Sequence, residues 1–264
     1  MASGCLHLLL LVTSSSKPPA DIFDGTSRLL VAYLCPFAKA AWIARNYKGL
    51  QDRVKLIAID LESWPAWYQQ KLYPANEVRY LLALCADNNQ VKGGSIEIIN
   101  YFEENFEGPS VLPDDPARKA FAEKLLSYSN SFYGGVISSF MANGAGKTGA
   151  AFDYLEDALG KFDDGPFFLG QFSLVDMVFA PHVEMFQPFL LDFKKYDITE
   201  GRPKLAAWIE EVNKIKAYTA TKFDPDKLLA TLKRRFKFKV VTPVFSLSGW
   251  SVENLLCPFI FLCI

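Results

Sequence analysis

Residues 29–49 read LLVAYLCPFAKAAWIARNYKG, and residues 54–59 read VKLIAI. The apolar run at 29–33 predicts a buried strand, and the small apolar residues that follow Pro36 at helical spacing predict a helix that ends at Gly49. The second apolar run predicts another strand. A strand, a helix and a strand in this order form a βαβ unit, whose two strands pair in parallel through a right-handed crossover. The first part of the chain is therefore predicted to be an α/β domain.

Weaker signals extend the fold beyond this unit. They predict a short helix at 64–72, a third strand at 80–84, a turn at 88–89 and a helix at 95–106. After a proline-rich linker, the segments that precede the apolar tail have helical periodicity. The fold class is therefore α/β plus all-α, with a small sheet domain followed by an all-helical domain.

Composition and linkers divide the chain into five parts. They are a flexible N-terminal segment at 1–25, an α/β domain at 26–108, a linker at 109–116, a helical domain at 117–238 and an atypical apolar tail at 239–264. The last ten residues are apolar but fall far short of the ~20 that a spanning helix needs, so no membrane span is predicted. The leucine run near the N-terminus follows no Lys or Arg, which argues against an export signal. We expect a cytoplasmic protein.

Charge and composition argue against several classes of function. The chain has 28 basic and 29 acidic residues, so its net charge of −1 gives no positive surface for nucleic acid. Its five cysteines are too scattered for a disulfide framework, and with only two histidines no metal site is predicted. The scarcity of histidine also leaves little material for a Ser-His-Asp or Cys-His triad. An enzyme with this sequence would depend on a carboxylate, a thiol or a hydroxyl.

Cys35 is the side chain best placed for chemistry. It lies where the first strand ends and the first helix begins, with Pro36 in the first helical position. Backbone N–H groups and the positive end of the helix dipole stabilise a thiolate there, and cysteines in such positions have pKa values below the ~8.5 of an isolated thiol. Ala38 stands where a second cysteine would close an internal disulfide. A mixed disulfide at Cys35 would therefore need an external thiol to resolve it.

Several other polar residues are interpreted as structural. Asp115 precedes Pro116 and is expected to cap a long helix. Ser173 and Asp176 have capping-box spacing, so we expect the Asp176 carboxylate to accept the Ser173 N–H. His182 follows a proline in an apolar helix, and it is expected to line the core or a groove rather than to act as a metal ligand.

Several motifs resemble those of soluble glutathione transferases. They are the Cys35-Pro36-Phe37-Ala38 turn, PSVLPDD at 109–115, GPFFLG at 165–170 and SLVD at 173–176. Other segments resemble the plant lambda class of this family: FDGT at 23–26, KGLQD at 48–52, KKYDIT at 194–199 and GRPKLAAWIEEVN at 201–213. The resemblance covers residues 21–236.

The resemblance implies a thioredoxin-like N-terminal domain that binds glutathione as a co-substrate, and a helical domain that forms the second-substrate pocket. It implies that Cys35 is the catalytic residue, and that Pro36 and Phe37 belong to the glutathione site. The backbone of Val78 would pair with the cysteinyl part of glutathione, and Ser95 would hold its γ-glutamyl carboxylate. No metal is implied, and the protein is expected to be a monomer.

The activity that the resemblance implies is thiol transfer and glutathione-dependent reduction, for example of dehydroascorbate. Small-molecule disulfides and glutathionylated compounds are the implied substrates, and flavonoid-like molecules are further ligands. Three residues depart from the family pattern: Arg79 stands where a cis-proline is expected, Gly94 where an acid is expected and Trp64 where a basic residue is expected. We therefore expect weaker glutathione binding. The alternative is a non-catalytic binder that holds a planar ligand in an aromatic-rich groove between Tyr128 and Phe189.

Overall fold

The computed structural model describes residues 13, 15–17, 24–60, 63, 65–72, 82–85, 91–141 and 145–240. Within these ranges the sheet domain contains β1 (Ser27–Ala32), α1 (Pro36–Tyr47), β2 (Val54–Ile59), α2 (Ala66–Leu72), β3 (Leu82–Cys85), β4 (Val91–Gly93) and α3 (Ser95–Asn105). The helical domain contains α4 (Pro116–Met141), α5 (Ala145–Leu159), α6 (Leu174–Lys194), α7 (Pro203–Val212), α8 (Lys216–Thr219) and α9 (Pro225–Val240).

The described strands form one sheet in the order β2-β1-β3-β4. β1 and β2 are parallel, with Ser27 opposite Val54 and Ala32 opposite Ile59. β3 is antiparallel to β1, and β4 is antiparallel to β3. The parallel pair confirms the predicted βαβ unit. Because β1 is a central strand, every residue of it except Arg28 is buried.

The second half of the sheet differs in detail from the sequence prediction. The helix predicted at 64–72 spans Ala66–Leu72. The strand predicted at 80–84 is described over Leu82–Cys85, and residues 80 and 81 lie outside the described residues. The strand β4 is absent from the prediction, because three residues are too few to carry a periodic signal. The turn predicted at 88–89 lies outside the described residues.

The helical domain is built around α6. This helix packs against α1, α4, α7 and α9. The helix α4 begins as predicted, because Asp115 Oδ1 accepts the N–H of Arg118 at 2.8 Å and so caps its first turn. The rings of α4 interlock with those of α6: the ring centroid of Phe132 lies 5.6 Å from that of Phe179 and 6.0 Å from that of Phe186.

The prediction of an aromatic-rich groove between Tyr128 and Phe189 is wrong for most of the aromatic side chains in that range. Phe132, Phe152 and Phe179 are fully buried, and the rings of Phe152 and Phe179 both pack on that of Phe132. Burying such rings removes a large apolar area from water, and the edge-to-face contacts between them add to this gain. These residues therefore form the core of the helical domain rather than the wall of a ligand groove.

The two domains meet where α1 packs against α6. The buried apolar side chains form one cluster that extends from Leu29 in β1 to Leu232 in α9. None of the helices in the described ranges is both long enough and apolar enough to cross a membrane. The interface places the start of α1, with Cys35, directly beside the helical domain.

Candidate active site

Cys35 ends the turn between β1 and α1. Its N–H donates to the carbonyl oxygen of Ala32 at 3.0 Å, and its own carbonyl oxygen accepts the N–H of Lys39 at 3.0 Å. The residue is the N-cap of α1, with φ −85° and ψ 115°, and Pro36 follows in the first turn. That first turn contains no acidic side chain, so the positive end of the helix is not neutralised from within α1. The position of Cys35 at this end of the helix is the one expected from the sequence.

The turn that carries Cys35 is buried, and its Phe37 contacts the helical domain. Only 1% of Cys35 is exposed, and Ala38 is fully buried. The ring centroid of Phe37 lies 5.5 Å from that of Tyr133 in α4 and 4.8 Å from that of His182 in α6. A substrate can reach the Cys35 sulfur only after the groups that cover it move aside.

His182 is a core residue, which agrees with the first of its two interpretations. It is fully buried, and its Nδ1–H donates to the carbonyl oxygen of Val178 at 2.7 Å. Burial lowers the pKa of His182 to about 4, so the ring is neutral at physiological pH. Nε2 has no hydrogen-bond partner among the described residues. The contact of this ring with Phe37 could not be predicted from the sequence, where the two residues lie 145 positions apart.

A buried ion pair lies one helical turn beyond Cys35. Lys39 Nζ is 2.8 Å from Glu184 Oε2 in α6, and both side chains are buried. Burial lowers the pKa of Lys39, and the negative charge of Glu184 opposes that shift. Glu184 also accepts the N–H of Phe223 at 3.2 Å. Sequence reasoning missed this pair, although Lys39 is the only charge in the otherwise apolar segment 36–44.

A narrow crevice lies beside the Cys35 turn. Its volume of about 10 Å³ is enough for roughly one water molecule, and far too small for a tripeptide. Tyr33, Pro36 and Lys39 contribute to its lining. Burial raises the pKa of Tyr33 to about 12, and its hydroxyl has no hydrogen-bond partner among the described residues. No group of three His, Cys, Asp or Glu side chains in the described part of the chain could hold a metal ion.

The second predicted subsite is described only in part. Ser95 is half-buried and begins α3, which packs against α1. Gly94 precedes it as the N-cap, with φ 83° and ψ 132°. Val78 and Arg79 lie outside the described residues. The structure therefore brings Cys35 together with its neighbours in the first turn of α1, and the contact of Val78 with glutathione stays a prediction.

Asp176 forms the predicted cap and also connects three segments. Its Oδ2 accepts the N–H of Ser173 at 2.9 Å and the Ser173 hydroxyl at 2.8 Å. Its Oδ1 accepts Trp208 Nε1–H at 2.8 Å and the N–H of Phe168 at 3.3 Å. Burial raises the pKa of Asp176 to about 6, while these hydrogen bonds act in the opposite direction. The carboxylate therefore joins the start of α6 to α7 and to the loop that precedes α6.

Comparison with known proteins gives a consistent result. Residues 29–110 match the model of the glutathione S-transferase N-terminal domain, and residues 139–211 match that of the glutathione S-transferase C-terminal domain. "Protein IN2-1 homolog B" of Oryza sativa subsp. indica is 56% identical over 216 residues, which cover 81% of this chain and 87% of that protein.

Two further similarities extend this result. "Glutathione S-transferase L2, chloroplastic" of Arabidopsis thaliana is 51% identical over 221 residues, which cover 84% of this chain and 74% of the relative. The solved structure of a tau class glutathione S-transferase from mango, Mangifera indica, is similar with a TM-score of 0.69 at 22% identity, covering 79% of this chain and 98% of that one. The thioredoxin-like sheet domain followed by a helical domain is the fold that the two chains share.

Proposed function

Because this chain belongs to the glutathione transferase family, with lambda-class proteins among its relatives, we propose that it is a glutathione-dependent thiol transferase with Cys35 as its nucleophile. The observation that carries the proposal is the position of Cys35 at the N-terminus of α1, where the helix dipole and the first-turn N–H groups favour a thiolate. Ala38 supports it further, since this turn has no second cysteine that would replace an external thiol.

The proposed reaction has two steps. The Cys35 thiolate attacks the glutathionyl sulfur of a mixed disulfide, which forms a new S–S bond to Cys35 and breaks the old one. The substrate leaves as a thiolate and takes a proton from solvent. The thiolate of a second glutathione attacks the same glutathionyl sulfur, which releases glutathione disulfide and restores the Cys35 thiolate. The sum converts the mixed disulfide and one glutathione into the substrate thiol and glutathione disulfide, so the sulfur of the substrate is reduced and that of the added glutathione is oxidised.

A second substrate class is an oxidised small molecule such as dehydroascorbate. Its two-electron reduction consumes two glutathione molecules and gives ascorbate and glutathione disulfide. Because only 1% of Cys35 is exposed, both reactions require the groups that cover this residue to move when the substrate binds.

The glutathione site is proposed to include four more residues. Pro36 and Phe37 would border the reacting sulfur, and the backbone of Val78 would pair with the cysteinyl part of the peptide. Ser95 would hold the γ-glutamyl carboxylate, and its place in the first turn of α3 supports this role, since helix N-termini favour anions. We further propose that the protein acts as a cytoplasmic monomer. One relative bears the name "chloroplastic", so fractionation of the cell is the direct test of the compartment.

The test compares the full chain with two serine variants. The parent should catalyse glutathione-dependent reduction of hydroxyethyl disulfide, and Cys35→Ser should fall to the uncatalysed rate. Cys257→Ser is the matched control, because Cys257 is also followed by Pro and Phe, and it should keep full activity. Iodoacetamide labelling against pH should show an inflection below ~8.5 that disappears in Cys35→Ser. Activity that survives in Cys35→Ser would overturn the proposal.

A further inference from the structure

The crevice beside the Cys35 turn contains a buried hydroxyl group that bonds to no protein group described. Tyr33 lies in this turn, two positions before Cys35, and its Oη is buried without a hydrogen-bond partner among the described residues. Such a hydroxyl costs free energy, because it loses its hydrogen bonds to water on folding and gains none in return. Buried polar groups in folded proteins are therefore nearly always bonded, either to protein or to ordered water.

A buried ammonium group with an unused donor lines the same crevice. Lys39 Nζ carries three N–H groups, and the one acceptor that the described residues provide for it is Glu184 Oε2 at 2.8 Å. Nζ also lies 4.7 Å from the ring centroid of Phe223, whose face attracts a cation. The carboxylate and the ring leave one N–H of Lys39 for a further acceptor.

The hydroxyl and the ammonium group lie at the same small space. Tyr33 packs edge-on against Phe223, with ring centroids 6.1 Å apart, so both groups adjoin one ring. Tyr33 Oη and Lys39 Nζ, both in the described part of the chain, form no direct hydrogen bond. The crevice that they line together with Glu184 has a volume of about 10 Å³. A space of this size accommodates one water molecule, which roughly two to four polar partners hold in place.

We propose that the crevice binds one ordered water molecule, which joins Tyr33 Oη to the ion pair of Lys39 and Glu184. The water accepts hydrogen bonds from the Tyr33 hydroxyl and from the remaining N–H of Lys39, and it donates one to the Glu184 carboxylate. A carboxylate has about four lone-pair sites. Those of Glu184 that bind Lys39, the N–H of Phe223 and the hydroxyl of Tyr218 leave one for the water.

This water ties the turn that carries Cys35 to the helical domain. Tyr33 precedes Cys35 and reaches the Glu184 carboxylate of α6 through the water, whereas Lys39 follows Cys35 and reaches the same carboxylate directly. One side chain of α6 therefore holds the chain on both sides of Cys35. The water site is independent of the proposed thiol chemistry, because Cys35 is not among the described residues that line the crevice.

A crystal structure of the full chain at high resolution is the direct test. The parent should show a peak of electron density in the crevice, ~2.5–3.2 Å from both Tyr33 Oη and Lys39 Nζ. A crevice without this peak overturns the proposal, and so does a direct hydrogen bond between Tyr33 Oη and a protein group.

The stability of Tyr33→Phe tests the water by the sign of its effect. With the water in place the variant loses a hydrogen bond, so the equilibrium constant for folding, measured by urea unfolding, should fall about fivefold. A hydroxyl without any partner gives the opposite sign, because its removal abolishes the cost of burying it. Stability of Tyr33→Phe equal to or greater than that of the parent overturns the proposal.

A double-mutant cycle shows whether the lost hydrogen bond leads to the ion pair. In the Lys39→Met/Glu184→Gln background, Tyr33→Phe should lower the equilibrium constant by less than about twofold, because the ammonium group that binds the water is absent. Lys214→Met/Glu211→Gln, at an exposed ion pair, is the matched control, in which Tyr33→Phe should keep its full effect. The same full effect in both backgrounds means that no water connects Tyr33 to the ion pair, and the proposal is then wrong.

Discussion

The buried carboxyl group of Asp176 makes the stability of the fold depend on pH. Burial raises its pKa in the folded chain to about 6, whereas the unfolded chain releases the proton near pH ~3.9. Between these values the folded chain binds more protons than the unfolded chain, so the contribution of Asp176 to the free energy of unfolding falls as the pH rises. The loss amounts to about 3 kcal/mol across the window.

We expect the parent to lose this amount between pH ~4 and ~7 relative to Asp176→Asn, which keeps the side-chain volume but cannot titrate. Urea unfolding at a series of pH values measures the difference. A difference between the two proteins that does not change with pH would show that Asp176 has the same affinity for a proton in the folded and unfolded chains.

Gly94 holds the N-terminus of α3 in a backbone conformation that other residues rarely adopt, with φ 83° and ψ 132°. A side chain there should cost about 1–3 kcal/mol, so Gly94→Ala should lower the free energy of unfolding by that amount. Gly94→Glu should suffer the same loss, even if the acid strengthens glutathione binding. Gly134→Ala is the control: this glycine lies within α4, an added Cβ would meet nothing within 4 Å, and the change should stabilise the protein by about 0.5–1 kcal/mol. Equal destabilisation of both alanine variants would contradict the strain at Gly94.

The contact between the helices α1 and α6 depends on the ion pair of Lys39 and Glu184. Removing one partner leaves the other charge buried, so Lys39→Met should lower the free energy of unfolding by about 3–5 kcal/mol. The double variant Lys39→Met/Glu184→Gln should recover most of that loss, because no isolated charge remains. The exposed pair of Lys214 and Glu211 is the control, and Lys214→Met should change stability by less than about 1 kcal/mol. A loss as small for Lys39→Met as for Lys214→Met would mean that water reaches Glu184.

Elements with local signals could be predicted from the sequence, whereas contacts between distant elements could not. The β1–α1–β2 unit and the cap at Asp176 follow from residues a few positions apart, and both are confirmed. The short strand β4 carries too few residues to show a period. The rings around Phe132 could be assigned to one helix face, but spacing alone does not say whether a face meets a ligand or another helix.

The same distinction holds for the candidate site, where local features could be predicted from the sequence and contacts between distant elements could not. The place of Cys35 at the start of α1 is readable from the strand, the proline and the helix that follow each other in the chain. The contact of Phe37 with the ring of His182 and the ion pair of Lys39 with Glu184 depend on the docking of α1 against α6. That docking brings together residues far apart in the sequence, which no local pattern specifies.

The sheet domain and the helical domain bury apolar surface against each other. One apolar cluster extends from the sheet domain into α9, and α1 contacts both β1 and α6. The N–H of Leu174 at the start of α6 donates to the carbonyl oxygen of Val111 in the linker at 2.7 Å. If either domain unfolded alone, the other would expose the apolar surface and the buried charge that the interface covers. The energetic cost of this exposure favours unfolding of the described domains as one unit.

This coupling predicts how damage to the helical core affects the sheet domain. Phe179→Ala removes a fully buried ring that packs on Phe132 and Phe168, both in the helical domain, and it should lower the free energy of unfolding by about 3–5 kcal/mol. Hydrogen exchange measured by mass spectrometry should then show the slowest amides of α1 and of α6 accelerated by the same factor, because both exchange through a shared global opening. If the amides of α6 accelerate and those of α1 keep their parental rates, the two domains unfold independently, and the contact between α1 and α6 contributes little to the stability of the sheet domain.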